Sequence, residues 1–173
     1  MTLTGKRIAY LVEEVFEDLE FWVPVMRLRE EGAKVTIVGS RIERFHGKHC
    51  LEATPEVEAK EVVPDDFDGI VVPGGWAPDK LRRYPSVLKL VRGIYEQGKI
   101  VAAICHAGSV LISAGIVKGH KATGSVGIRD DLVNAGAEWV DAPALRDGNL
   151  VWGRVVEDIP DFCRELVKAL ENQ

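Results

Sequence analysis

Cys105 is the residue on which any covalent chemistry would turn. It directly follows the apolar run Ile100-Val101-Ala102-Ala103-Ile104 and precedes His106, with a helix predicted from Ala107 to Ala114 beyond. A cysteine at a strand-to-helix turn sits where a helix N-terminus favours the thiolate. The small residues Ala102, Ala103, Ala107 and Gly108 let backbone crowd that turn, as a nucleophile elbow requires. Cys105 is therefore predicted to be the one thiol ionised near neutral pH, with His106 as its base. From the residues alone, two blander readings stay open: a small buried hydrophobe for Cys105 and an ordinary surface or hydrogen-bonded histidine for His106. Cys50 and Cys163 have no base beside them and read as structural.

Other spacings carry less. His46-x-x-His49-Cys50 gathers three metal-ligating side chains, but no fourth ligand cluster accompanies them, so the segment reads as a solvated hairpin and no metal is expected. Gly124-Ser125-Val126-Gly127 lacks the spacing of a serine elbow. The turn Glu13-Glu14-Val15-Phe16-Glu17 has no glycine and three carboxylates. A phosphate loop needs bare backbone N–H groups, and carboxylates would repel the phosphate. Dinucleotides, nucleotides and flavins are thus unsuited, and no cofactor is expected.

The elements that must hold Cys105 alternate along the chain. Ile8-Ala9-Tyr10-Leu11-Val12 reads as a buried strand, followed by a helix over residues 18–31 in which Leu19, Trp22, Val23, Met26 and Leu28 recur near helical period, stopped by Gly32. Val35-Thr36-Ile37-Val38, Ile70-Val71-Val72 and residues 100–104 are further strands. Between the last two lies an amphipathic helix with Val87, Leu88, Val91, Ile94 and Tyr95 on one stripe, closed by Gly98. Residues 41–57 read as a hairpin or edge excursion and 145–152 as a hairpin across Asp147-Gly148-Asn149, with a last helix from Asp158-Ile159-Pro160 through Leu170. Strands alternating with helices predict a mostly parallel sheet covered on both faces, in one α/β domain over residues 1–173. In such sheets ligands sit beyond the carboxyl ends of the strands, which directs attention to residues 13–17, to Pro73-Gly74-Gly75-Trp76, and to Cys105-His106.

Composition narrows the function classes. The 173 residues are 46% apolar and 28% charged, the balance of an ordinary globule. A net charge of -5 with no basic run disfavours nucleic acid. No run approaches the length of a membrane span, and the first residues lack a signal-peptide pattern. Three cysteines without framework spacing suggest free thiols in a reducing cytoplasm.

Taken together, several stretches resemble the ThiJ/PfpI family, the DJ-1 superfamily, in its intracellular-protease-like branch. They are Glu17-Asp18-Leu19-Glu20 leading to Pro24; Phe67-Asp68-Gly69-Ile70-Val71-Val72-Pro73-Gly74-Gly75-x-Ala77-Pro78-Asp79; Gly98-Lys99-x-Val101-Ala102-x-Ile104-Cys105-His106; Ile112-Ser113-Ala114-Gly115; Asn134-Ala135-Gly136-Ala137-Glu138; and Asp147-Gly148-Asn149-Leu150-Val151. The resemblance runs nearly end to end. It implies a flavodoxin-like three-layer sandwich with the elbow cysteine after a central strand, in a strained backbone conformation. It further implies that Glu20 hydrogen-bonds the Cys105 sulfur, that Gly74 and Gly75 with the amide near His106 form an oxyanion hole, and that a carboxylate at Asp79 reaches His106 across a subunit contact. A homo-oligomer, at least a dimer, is implied, a reading helped by Trp22 and Trp76. Two positions depart from the family pattern: Ala107-Gly108 stands where Gly-Pro is common, and Asp79 where the protease-like members carry Glu.

The resemblance allows thiolate chemistry on small carbonyl compounds, on glycation adducts or on peptides; peptide hydrolysis is least supported, because Asp79 is one methylene shorter. The alternative is a non-enzymatic stress protein whose Cys105 is oxidised as a sensor. A glutamine amidotransferase would need a late His-x-Glu, and His120 is the last histidine.

Overall fold

In the computed structural model, which describes residues 1–173, the strands are β1 (Arg7–Val12), β2 (Lys34–Gly39), β3 (Phe45–His46), β4 (Glu52–Ala53), β5 (Val57–Glu58), β6 (Gly69–Val72), β7 (Ile100–Ile104), β8 (Lys121–Ala122), β9 (Glu138–Trp139), β10 (Ala144–Asp147) and β11 (Leu150–Gly153). The helices are α1 (Asp18–Glu30), α2 (Ala77–Leu81), α3 (Pro85–Glu96), α4 (Gly108–Ala114), α5 (Arg129–Asn134) and α6 (Ile159–Glu171). Seven strands form the main sheet in the order β10-β11-β7-β6-β1-β2-β5, parallel throughout except for the edge hairpin β10–β11. Helices α1 and α6 pack together on one side of it, α3 and α4 on the other. This is the flavodoxin-like α/β sandwich.

The central strands are apolar because neither of their faces meets water. All five residues of β7 and all four of β6 are buried, as are five of the six in β1. Their registers align the carboxyl ends: Val72 of β6 stands beside Ala103 of β7, one residue before Ile104. The buried apolar side chains form one continuous cluster that includes Trp152, Tyr10, Phe21 and Phe162. The expected excursion after β2 is the antiparallel pair β3–β4, which carries residues 47–51 between its strands.

One face is corrected. The periodic stripe read on α1 is not its buried face: Leu19, Val23 and Met26 are exposed and Trp22 is half-buried, while Phe21, Pro24, Val25 and Leu28 are buried, with Asp18 and Glu20. Apolar residues on both sides of this helix hid its orientation from periodicity. Its polar buried positions face the carboxyl end of the sheet.

Candidate active site

Cys105 leaves β7 with φ 62, in the left-handed region that a non-glycine residue enters only when its surroundings fix it there. The chain reverses through a 3-10 turn over Cys105–Ala107 before α4 begins at Gly108, one residue later than the predicted helix start. Three glycines make room for the elbow. A Cβ on Gly74 would lie 2.7 Å from the Cys105 Cβ, and one on Gly124 would lie 2.7 Å from the Cys105 carbonyl oxygen. Gly75, at φ 77, has Glu17 N and Val15 O within 2.6 Å of where its Cβ would stand.

The sulfur lies in a pocket of about 210 Å³ lined by Glu17, Glu20, Lys48, Gly75, Trp76, His106 and the 155–157 segment after β11. His106 Nδ1 is 3.3 Å from Cys105 Sγ, and Trp76 lies beside the imidazole, ring centroids 6.1 Å apart. Glu20 projects from α1 with no exposed surface; Gly74 N–H donates to its Oε2 at 3.0 Å. Its Oε1 is buried without a partner of regular hydrogen-bond geometry, and the Cys105 thiol lies close enough to favour the charged carboxyl. Backbone N–H groups of Gly75 and His106 face the sulfur and favour its charged form.

Electrostatics overturn one expectation. The Cys105 thiol is not set to ionise near neutral pH: burial first, then the Glu20 charge and the contact with that carboxyl, push it up to about 12. The N-terminus meant to lower it belongs to a tight turn and a seven-residue helix, too little to outweigh desolvation beside a carboxylate. Burial, followed by the charge on Glu17, pushes Glu20 up to about 7. Two acids thus share one cavity, and the thiolate is favoured only while Glu20 holds its proton. His106 is pushed below the usual imidazole value by burial and then by the Lys48 charge, so it stands neutral and able to accept a proton.

The structure brings Cys105, His106, Glu20 and Gly75 together, and within the chain gives two other predicted members different partners. Gly74 does not face the sulfur with its N–H, because Glu20 takes that donor; its part is to leave space. Asp79, on α2, is exposed and bonded to Arg83 one turn on, a partner that competes with His106 for the carboxylate. Both Asp79 and His106 line an adjoining cleft with Arg82 and Ser109.

Sequence reasoning missed Lys48, which falls in the excursion over residues 41–57, and the 155–157 segment. The latter follows the carboxyl end of β11, so the strand-end rule that found Cys105 applies to it equally. Nothing local marks Lys48.

The chain is similar to known proteins along most of its length. The model of the DJ-1/PfpI family matches residues 6–169. The deglycase PfpI of Pyrococcus furiosus is 42% identical over 165 residues, spanning 95% of this chain and 99% of that one. A two-domain protein of Anabaena variabilis, with DJ-1/ThiJ/PfpI-like and ferritin-like domains, superposes with a TM-score of 0.94 at 39% identity, covering 96% of this chain and 48% of its own. Drosophila melanogaster DJ-1beta superposes with a TM-score of 0.91 at 27% identity, covering 98% and 92%.

Proposed function

The chain belongs to the DJ-1/PfpI family, and from that premise we propose that it is a protective cysteine-dependent enzyme acting on reactive dicarbonyls and their early adducts with amines. The observation that carries the reading is the elbow sulfur with a neutral imidazole nitrogen 3.3 Å away. The name of the Pyrococcus furiosus relative, a deglycase, supports the reaction class.

In this proposal Cys105 passes its proton to His106 Nδ1 as the sulfur attacks the aldehyde carbon of methylglyoxal. The carbonyl π pair becomes an oxyanion facing the Gly75 and His106 N–H groups, then takes up a proton to give a hemithioacetal. On a carbinolamine adduct, a C–S bond replaces the C–N bond, the amine leaves protonated, and the same hemithioacetal results. Transfer of the carbinol hydrogen as a proton through an enediol gives a thioester, and water cleaves it to lactate and free thiol. No external oxidant is needed, since one carbon is oxidised as its neighbour is reduced. Glu20, protonated below about pH 7, donates to the sulfur when it is charged. Asp79 would act only if a subunit contact drew it from Arg83.

Peptide hydrolysis is the weaker reading, because expelling an amide nitrogen demands a well-oriented histidine, and within the chain no carboxylate holds His106. Self-association belongs to the same proposal: Leu19, Val23 and Met26 form an exposed apolar row on α1, and Trp76 is 62% exposed beside the site. A reducing compartment such as the cytoplasm suits the three free cysteines.

The test is lactate formation from methylglyoxal, and amine release from its adducts. Cys105→Ala should abolish both, and His106→Ala should cost about 10²-fold or more. Loss with Cys105→Ala alone and none with His106→Ala would overturn the mechanism. Peroxide-dependent sulfinate at Cys105 without any turnover would instead support a sensor.

A further inference from the structure

Resting on the reading of Cys105 as the working thiol, we infer that Asp18 is the positioning residue of this pocket: its carboxylate is the template on which the 47–51 loop folds, and the loop so held delivers Lys48 to the sulfur's surroundings. Asp18 opens α1 and is 2% exposed. Its partners are backbone groups of that loop. Oδ2 accepts the His49 N–H and Oδ1 the Leu51 N–H, each at 2.8 Å. Between them Cys50 takes φ 70, the conformation that turns successive N–H groups toward one anion. The fit continues at Gly47, where a Cβ would lie 2.4 Å from Asp18 Oδ2, so the carboxylate fills the place of a side chain. Gly47 N–H closes the loop on Leu51 O at 2.8 Å, and Lys48 N–H donates to Phe16 O at 2.9 Å.

The loop so held sends the Lys48 ammonium to Glu17 Oε2 at 3.0 Å. Lys48 is the one lysine or arginine lining a pocket that otherwise collects Glu17, Glu20, Glu157 and the His106 imidazole. After Glu17, its charge interacts with Cys105 ahead of Glu20, and it lowers His106. A cation there favours the anionic state of the Cys105–Glu20 pair. Asp18 itself does not line the pocket, so it acts through Lys48.

That indirect route gives a test of sign. If the Asp18 charge acted directly on the sulfur, Asp18→Asn would remove a negative charge and move Cys105 ionisation to lower pH. Acting through Lys48, it must move ionisation upward. A carboxamide has one acceptor oxygen for two N–H donors, so the loop is released and the ammonium with it.

The experiment is the rate of iodoacetamide alkylation of Cys105 at pH 7 and 8, where Lys48 is charged, read at the Cys105 peptide by mass spectrometry. It needs no turnover, so failure of the proposed catalysis leaves it interpretable. Lys48→Met should slow the reaction about threefold or more. Asp18→Asn should slow it equally, the double variant should slow it no further, and Lys48→Arg should retain the wild-type rate. If Asp18→Asn does not fold, Asp18→Glu, which keeps the charge but overfills the Gly47 cradle, should slow it too. A faster or unchanged rate in the folded Asp18 variant, additive effects in the double variant, or no effect of Lys48→Met would overturn the inference.

Discussion

Replacing Glu20 by Gln should make the protein more stable, and only at the higher pH values. Glu20 is completely buried, and its carboxyl is raised from 4.5 to about 7, chiefly by desolvation and then by Glu17. The folded state therefore holds this proton more tightly than the unfolded chain, which releases it near 4.5. Stability owed to the group is fully present below 4.5 and is lost as pH rises toward 7. One pKa unit corresponds to about 1.36 kcal/mol. The loss should reach about 1 kcal/mol at pH 5, about 2 at pH 6 and about 3 at pH 8, where it levels off. Glutamine keeps the oxygen that accepts the Gly74 N–H and has no proton to lose. Guanidinium unfolding of both proteins at pH 5, 6, 7 and 8 should give a difference that grows along this curve in favour of the variant. A constant difference across that range, or one that shrinks with pH, would show that Glu20 is charged in the fold and that its burial is offset by something else.

The same substitution should speed Cys105 alkylation at pH 8 by about tenfold or more, since it removes the two causes that follow burial in holding the thiol up; an unchanged rate would mean the carboxyl does not govern the sulfur. Gly75→Ala should destabilise by at least about 2 kcal/mol in denaturant titration, because φ 77 and backbone atoms within 2.6 Å leave no room for a methyl group. Asp79→Asn breaks only an exposed pair with Arg83, so melting should be unchanged; if the carboxylate serves His106 across a subunit contact, methylglyoxal turnover would fall even so, and equal turnover would assign Asp79 to the surface. Sedimentation at micromolar concentration should show a species heavier than 19.1 kDa; a clean monomer would refute self-association.

Residues 100–108 carry their own instructions: an apolar strand, a cysteine and a run of small residues predict an elbow, and φ 62 at Cys105 bears that out. The parallel sheet was legible for a related reason, since strands buried on both faces must be continuously apolar and connected through helices. Both depend on neighbours in the chain or on simple periods. The ionisation of Cys105 does not. It depends on Glu20, delivered by a helix 85 positions earlier in the chain, and on how much water the packed sheet excludes. Local reasoning saw the helix terminus that lowers a thiol's pKa and had no measure of the desolvation that raises it. The roles of Gly74, Asp79 and Lys48 are equally a matter of who reaches whom: Gly74 gives its N–H to Glu20, Asp79 meets Arg83, and Lys48 arrives on a loop held by a buried carboxylate. Strand, elbow and the cysteine at its tip are written in runs of adjacent residues; proton affinities and partner choice are set by distance and burial between residues far apart in the chain, and those exist only once the chain has folded.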